Sequence, residues 1–195
     1  NQGCRAALGL VLAHRELGDP RYLLGASRAL DRLTGENSLE PKDMPRPGTP
    51  WLAAAIRHAW SVLPRDRYRT WVNTRAAAVS RAQFGPESRY GADIAGGCSA
   101  VFPPPVGATA RQVRVLTAAA AIKGQKQADT PDFMKHARRG ARFLLQMQLH
   151  SANCYFVKNP GAARGSFLSR YGHNVAGTAA TAHALLALTS TLREM

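Results

Sequence analysis

The sequence predicts an all-α protein made of helical hairpins. Small and apolar residues recur about every 3.6 positions in each long periodic segment. Glycine and proline cluster between those segments, where they end helices and form turns. Because no long segment follows a different period, we expect a helix-dominated protein with a strand content below about 15%.

The first four helices are predicted to form two hairpins. Gly18 ends the first helix, and Asp19-Pro20 begins the second, because proline is favoured in the first turn of a helix. A polar loop with three prolines, residues 34–48, separates this hairpin from the next. A third helix follows at 51–62, and a fourth at 68–83.

Three more helices and two long loops complete the chain. Residues 84–107 contain five glycines and prolines before residue 103 and the run Pro103-Pro104-Pro105, which no helix would tolerate. The fifth helix is predicted at 109–122 and the sixth from Thr130-Pro131 to about 149. A second glycine-rich loop covers 150–174, and a last helix covers 178–192. The last helix has a small, apolar face formed by Ala182, Leu185, Leu186 and Thr189.

An internal repeat is the strongest signal in the sequence. Gln83 lies seven residues before Tyr90, and Gln148 lies seven residues before Tyr155. The same features then follow in each copy, namely Gly97, Phe102 and a helix start at 108–110 in the first, and Gly165, Phe167 and a helix start at 177–179 in the second. We predict that the two glutamines occupy equivalent positions and hold their loops by hydrogen bonds.

The repeat predicts how the helices are arranged. Alanine-rich helices alternate with more basic ones that carry tryptophan and tyrosine. Small residues allow close helix packing, so we expect the alanine-rich helices to form an inner layer and the basic ones an outer layer. This is a partial α/α toroid of about seven helices, with residues 1–195 forming one domain.

A family resemblance supports the toroid. The segment 139–148, Arg-Gly-Ala-Arg-Phe-Leu-Leu-Gln-Met-Gln, with Gly165-Ser166-Phe167 after it, resembles the repeat of the squalene cyclase and protein prenyltransferase superfamily. More loosely, 18–23 is similar to the hairpins of glycan-processing α/α toroids. The resemblance implies a ring with about twice as many helices, so this chain would be an arc of a larger ring or the C-terminal part of a longer chain. The Asp-rich acid motif of the cyclases is absent.

Few residues are suited to catalysis. Asp93 is the one carboxylate in the glycine-rich part of either loop, and beside Tyr90 it is a candidate acid, although it equally fits a turn cap. In the second loop, Tyr155 and His173 are candidates for proton transfer, and Arg170 and Tyr171 for binding an anionic or hydroxylated ligand. Aromatic packing that fixes the loop is the alternative for this second set.

A basic stripe on the sixth helix is the main candidate for binding. The chain carries 26 basic and 12 acidic residues, a net charge of +14, which favours an acidic protein partner or an anionic glycan or lipid surface. A solvated face is the alternative. We do not expect nucleic-acid binding, because aromatic residues are not interleaved with the stripe. Its members at helical spacing are Lys135, Arg138, Arg139 and Arg142.

The remaining expectations concern the cysteines, cofactors, membrane spans and processing of the chain. Cys4, Cys98 and Cys154 are widely spaced, so we expect free thiols rather than a zinc or redox motif, with one disulfide as the alternative. We expect no metal, no cofactor and no membrane-spanning helix. Because the chain begins at Asn1, we expect a processed, exported or organelle-imported chain, or a truncated one. No compartment is assigned.

These observations favour one function over another. The preferred hypothesis is a degenerate, non-catalytic toroid module that acts by binding, as a basic subunit or segment of a larger assembly. The alternative is the C-terminal part of a toroid enzyme that acts on a glycan or an isoprenoid.

Overall fold

The computed structural model describes residues 2–35, 49–99, 101–122, 131–173 and 175–195. About 64% of the structure is helical, and the described residues form no strand, so the all-α prediction is confirmed. The predicted loop at 34–48 falls, after its first two residues, outside the described part, as do Thr130 and Asn174. The α-helices are α1 Gln2–Leu17, α2 Pro20–Leu33, α3 Thr49–Ala59, α4 Asp66–Ala82, α5 Val106–Ala121, α6 Phe133–Gln146, α7 Pro160–Ala163 and α8 Thr178–Leu192.

The junction between α1 and α2 follows local sequence rules. Gly18 adopts a φ of 70°, a left-handed conformation that glycine reaches without strain, and α1 ends there. The Asp19 side chain accepts a hydrogen bond of 2.8 Å from the Arg21 backbone N–H, which caps α2, and Pro20 is the first residue of that helix. The predicted boundary is therefore confirmed.

Three later helix boundaries differ from the prediction by three residues. Helix α3 ends at Ala59 instead of at 62. Helix α5 begins at Val106, three residues before the predicted start, because proline is tolerated immediately before a helix and the carbonyl of Pro105 accepts from the fourth residue, Thr109, at 3.0 Å. Helix α6 stops at Gln146 instead of continuing to 149. The Leu149 N–H donates at 2.8 Å to Ser166 in the following loop and so leaves the helix. The short helix α7, inside the second loop, was not predicted.

The chain divides into two compact units. The first unit comprises 1–80 and 115–133, and the second comprises 81–114 and 134–195. In the first unit, α1 packs on both α2 and α3. A Cβ added to Gly25 of α2 would lie 3.4 Å from Leu10 of α1, so a small residue allows the close approach of these two helices. The fully buried residues of this core include Ala7, Val11, Ala26, Leu30 and Ile56.

In the second unit, α5, α6 and α8 form one apolar core. Phe143 and Leu144 of α6 pack with Val113 of α5 and with Ala184 and Ala187 of α8. The free thiols Cys4, Cys98 and Cys154 are all buried within their units, which confirms the expectation of free cysteines. None of the described helices is both long and apolar enough to cross a membrane.

A polar cluster in the first unit centres on Asp31. Its carboxylate accepts hydrogen bonds from the Tyr68 hydroxyl at 2.6 Å and from Arg65 at 2.6 and 2.7 Å, and Arg67 lies 3.5 Å away. Burial raises the pKa of Asp31, but the hydrogen bonds from Tyr68 and Arg65 outweigh it and hold the pKa below its ordinary value. Burial and the bond to Asp31 raise the pKa of Tyr68 to about 12.

We predict that Asp31→Asn lowers the free energy of unfolding by about 1 kcal/mol at neutral pH, because the ionised acceptor of three side chains is lost from a partly exposed site. The folded pKa of Asp31 is depressed. Its contribution is therefore complete above the unfolded pKa of about 3.9 and disappears as the pH falls through the folded value. Urea unfolding at several pH values measures both effects.

The control for this measurement is Asp66→Asn. Asp66 pairs with Arg69 at 2.8 Å, and its side chain is 86% exposed, so its loss should change stability less than the loss of Asp31. Equal losses from the two variants would contradict a special role for the Asp31 cluster.

Candidate functional site

The two glycine loops, 83–105 and 147–177, share a pattern of backbone hydrogen bonds. In the first loop, the Phe84 N–H donates a hydrogen bond to the Gly97 carbonyl at 2.9 Å. The Gly96 N–H donates in return to the Phe84 carbonyl at 2.8 Å. In the second loop, Leu149 N–H donates to Ser166 at 2.8 Å, and Gly165 N–H donates to Leu149 at 2.7 Å. Gly96 and Gly165 both have a positive φ, 96° and 84°. The structure therefore pairs Gly96 with Gly165.

A threonine anchors each loop to the helix that follows it. Cys98 N–H donates to the Thr109 hydroxyl at 3.1 Å, and Phe167 N–H donates to the Thr181 hydroxyl at 3.0 Å. Thr109 is the fourth residue of α5, and Thr181 is the fourth residue of α8. The two helices therefore start at equivalent positions.

These bonds correct the register predicted for the repeat. The sequence pairing of Gly97 with Gly165, of Phe102 with Phe167, and of 108–110 with 177–179 is wrong. The glutamine lies 13 residues before the equivalent glycine in the first loop and 17 in the second. The spacing of residues in the sequence does not show where the second loop gains its extra residues. The correct pairs are Gly96 with Gly165, Cys98 with Phe167, and 108–110 with 180–182.

The two glutamines make the same hydrogen bond within their loops. The Gln83 amide donates to the Gly96 carbonyl at 3.1 Å, and the Gln148 amide donates to the Gly165 carbonyl at 3.4 Å. Gln83 makes two further bonds to His136 of α6. It donates to the His136 carbonyl at 3.0 Å and accepts from the His136 ring at 2.7 Å, with Nδ1 protonated. Gln83 therefore joins the first loop to α6.

One pair of predicted site residues is in contact. The Tyr171 hydroxyl donates to the Asp93 carboxylate at 3.2 Å, and both side chains are exposed. This bond raises the pKa of Tyr171, so the phenol stays protonated at neutral pH. Arg170, the neighbouring candidate, is half-buried, and its backbone forms an isolated antiparallel β-bridge with Pro105.

The other predicted catalytic residues make their contacts elsewhere. The ring of Tyr90 stacks on Phe102, with centroids 4.0 Å apart, and the Arg89 guanidinium lies 4.7 Å from the Tyr90 centroid. Tyr155 is 83% exposed and packs edge-on against Phe156. His173 is exposed in a turn, where its backbone N–H donates to the Arg170 carbonyl at 3.2 Å. The Tyr90 ring is therefore packed against aromatic neighbours, whereas the Tyr155 ring is mostly open to solvent.

Sequence reasoning missed a cavity of about 370 Å³ beside α7. The Ser166 and Asn159 side chains at this cavity bond to the backbone of α7, to Ala163 and Ala162 respectively, so the fold itself uses their polar atoms. The sequence signal for this cavity is the small side chain of Ala163. At the equivalent position of the first loop, the larger Ile94 is buried. The lining carries no charge and consists of Asn159, Ala162, Ala163, Ser166, Ala176, Gly177, Thr178 and Thr181.

The basic stripe lies on the exposed side of α6. Lys135, Arg138 and Arg142 are exposed and Arg139 is half-buried, while residues such as Phe143 face the core. None of the three arginines has an acidic partner among the described residues. The second unit has twelve basic and three acidic residues in sequence, a net charge of +9, so it carries most of the chain's net charge of +14.

Comparison of this chain with protein-family models, with curated proteins and with solved structures finds no match. Within the described residues, no group of three or more histidines, cysteines and acids is placed to hold a metal ion. The function must therefore be argued from the geometry of this chain alone.

We predict that Gln83→Ala lowers the free energy of unfolding by about 1–3 kcal/mol, because three hydrogen bonds at a buried site are lost together. The matched control is Gln148→Ala, which removes one long bond from a half-exposed site. Its cost should stay below about 0.5 kcal/mol. Chemical denaturation followed by circular dichroism measures both, and equal costs would contradict the role assigned to Gln83.

Proposed function

We propose that this chain is a degenerate, non-catalytic module of the α/α-toroid kind that binds an acidic partner as a subunit or segment of a larger assembly. One observation carries the proposal. The arginines of the stripe on α6 are exposed or half-exposed, and they have no acidic partner within the described chain. An acidic protein surface is the preferred partner, and an anionic glycan or lipid surface has the same chemistry.

Three arginines of the first unit, in contrast to those of the stripe, have carboxylate partners among the described residues. Arg65 and Arg67 surround Asp31, and Arg69 pairs with Asp66. The three arginines of the stripe have no carboxylate partner among the described residues, so their like charges repel one another at low ionic strength. An acidic partner would relieve this repulsion.

The toroid part of the proposal is supported by the composition of the core. The alanine-rich helices α5 and α8 contribute Ala110, Ala184 and Ala187 to the core of the second unit. Helix α6 contributes large apolar residues to the same core and places basic residues on its other side. This division matches the inner and outer helices of the expected toroid.

A second candidate is an enzyme acting on a glycan or an isoprenoid, and Tyr171 and Asp93 are the two predicted site residues that the fold brings into contact. A tyrosine that acts as a base needs a lowered pKa. The pKa of Tyr171 is raised instead, mainly by its bond to Asp93. The direction of this shift supports a structural role for the pair.

We predict that the double variant Arg138→Glu/Arg142→Glu loses about tenfold or more in affinity for a polyanion near physiological salt, because charges on the contact surface control association. The probes are immobilised heparin and poly-glutamate, and the measurements are the eluting salt concentration and its dependence on ionic strength. Asp93→Asn should leave binding unchanged.

The matched control is Arg28→Glu/Arg32→Glu on α2. These two arginines are exposed and have the same spacing as the test pair. The net charge of the chain therefore changes equally in both double variants. Equal losses would mean that only net charge matters and would refute the stripe as a site. Loss of a glycan- or isoprenoid-converting activity in Asp93→Asn, with the double variant active, would establish the enzyme instead.

A further inference from the structure

Helix α8 exposes an apolar face. Leu185 is 50% exposed and Leu186 is 43% exposed, and Ala182 and Thr189 beside them are also exposed. The helix has no acidic or basic residue other than histidine between Thr178 and Leu192. This face is therefore uncharged in a chain of net charge +14.

The corresponding face of α5 is buried. Because Thr109 and Thr181 occupy the same position in the two copies, Ala110 corresponds to Ala182 and Val113 corresponds to Leu185. Ala110 and Val113 are fully buried. The same position in the repeat is therefore covered in the first copy and open in the second.

Helix α6 covers the first copy through three contacts. A Cβ added to Gly140 of α6 would lie 2.4 Å from a methyl group of Val113, so this crossing requires glycine. Gln83 bonds to the His136 backbone and ring, as described above. A Cβ added to Gly96 would lie 2.2 Å from the Arg139 carbonyl oxygen. Gln83, Gly96 and Val113 thus form a surface that accepts a helix.

All three positions are uncovered in the second copy. The Gln148 side chain makes one hydrogen bond within the described chain, to its own loop. A Cβ added to Gly165 would meet no described atom within 4 Å. Leu185 is exposed. The three observations are independent of one another, because the first concerns a hydrogen bond, the second the space around a backbone atom and the third the exposure of a side chain. All three indicate that no described helix covers the second copy at this position.

We infer that Gln148, Gly165, Ala182, Leu185 and Leu186 form a docking face for a helical hairpin of a partner protein. The first helix of that hairpin carries glycine or another small residue over Leu185, as α6 carries Gly140 over Val113. Its backbone approaches Gly165 and bonds to Gln148. The inference depends on the correspondence of the two loops and does not depend on the basic stripe.

A second copy of this chain does not fit the docking face. Gly140, the helix glycine that makes a crossing of this kind, already lies against Val113 within its own chain. Two chains of charge +14 also repel each other. We therefore assign the face to a partner protein and not to a second copy of residues 1–195.

The first test supplies a suitable hairpin as an extension of the chain. A second copy of residues 123–195 is added after Met195, so that another α6 with its glycine follows α8. Leu185→Cys then reports on the docking face, because the native cysteines are buried. We expect the maleimide labelling rate of this cysteine to fall about tenfold or more relative to the unextended chain. Gly140→Leu in the added copy alone should restore fast labelling.

The control is Leu24→Cys on α2, which is 54% exposed and should react equally fast in both chains. Unprotected Leu185→Cys in the extended chain overturns the docking face. So does an added copy that contributes no helix by circular dichroism, because the face should hold it folded. Protection should persist in Arg138→Glu/Arg142→Glu, which separates this inference from the proposed function.

The second test concerns the occupant. Light scattering of the unextended chain should give the mass of a monomer. A dimer that Leu185→Asp dissociates would show that a second copy occupies the face and would overturn the assignment to a different polypeptide.

Discussion

The second unit depends on the close approach of two backbones, the first glycine loop and helix α6. Gly96 leaves no room for a Cβ beside the Arg139 carbonyl, and Gly140 leaves none beside Val113. Gln83 fixes the same junction with bonds to both sides. Because protein cores are close-packed, a side chain larger than hydrogen at either glycine would force these elements apart.

The same constraint explains why α6 can present a basic surface. Its core side is fixed by Gly140, Phe143 and Leu144, so the opposite side has no structural duty and can carry charge. In the first unit, by contrast, arginines take part in the structure through Asp31. Some arginines of the first unit therefore pair within the fold, whereas the three arginines of the stripe have no acidic partner among the described residues.

The loops use most of their polar groups to hold their own shape. Thr109 and Thr181 anchor backbone N–H groups, and Ser166 and Asn159 bond to the turn of α7. Buried polar groups need such partners, since leaving them unbonded costs free energy.

The sequence by itself determined the helices and the existence of the repeat. Gly18, Asp19-Pro20 and the closing helix at 178–192 follow from local backbone preferences, which act between residues close in the chain. The equivalence of Gln83 and Gln148 was predictable from their spacing, since each lies seven residues before a tyrosine. The stripe on α6 also followed from helical periodicity alone.

Only the tertiary structure decided the register within the loops, the contact between Asp93 and Tyr171, and the side of α8 that stays open. Asp93 and Tyr171 are 78 residues apart, and no local rule joins them. The apolar pattern of α8 identified Leu185 as a residue that packs, but whether it is covered depends on a neighbouring helix. Periodicity describes one helix at a time, whereas burial is a property of the elements that surround it.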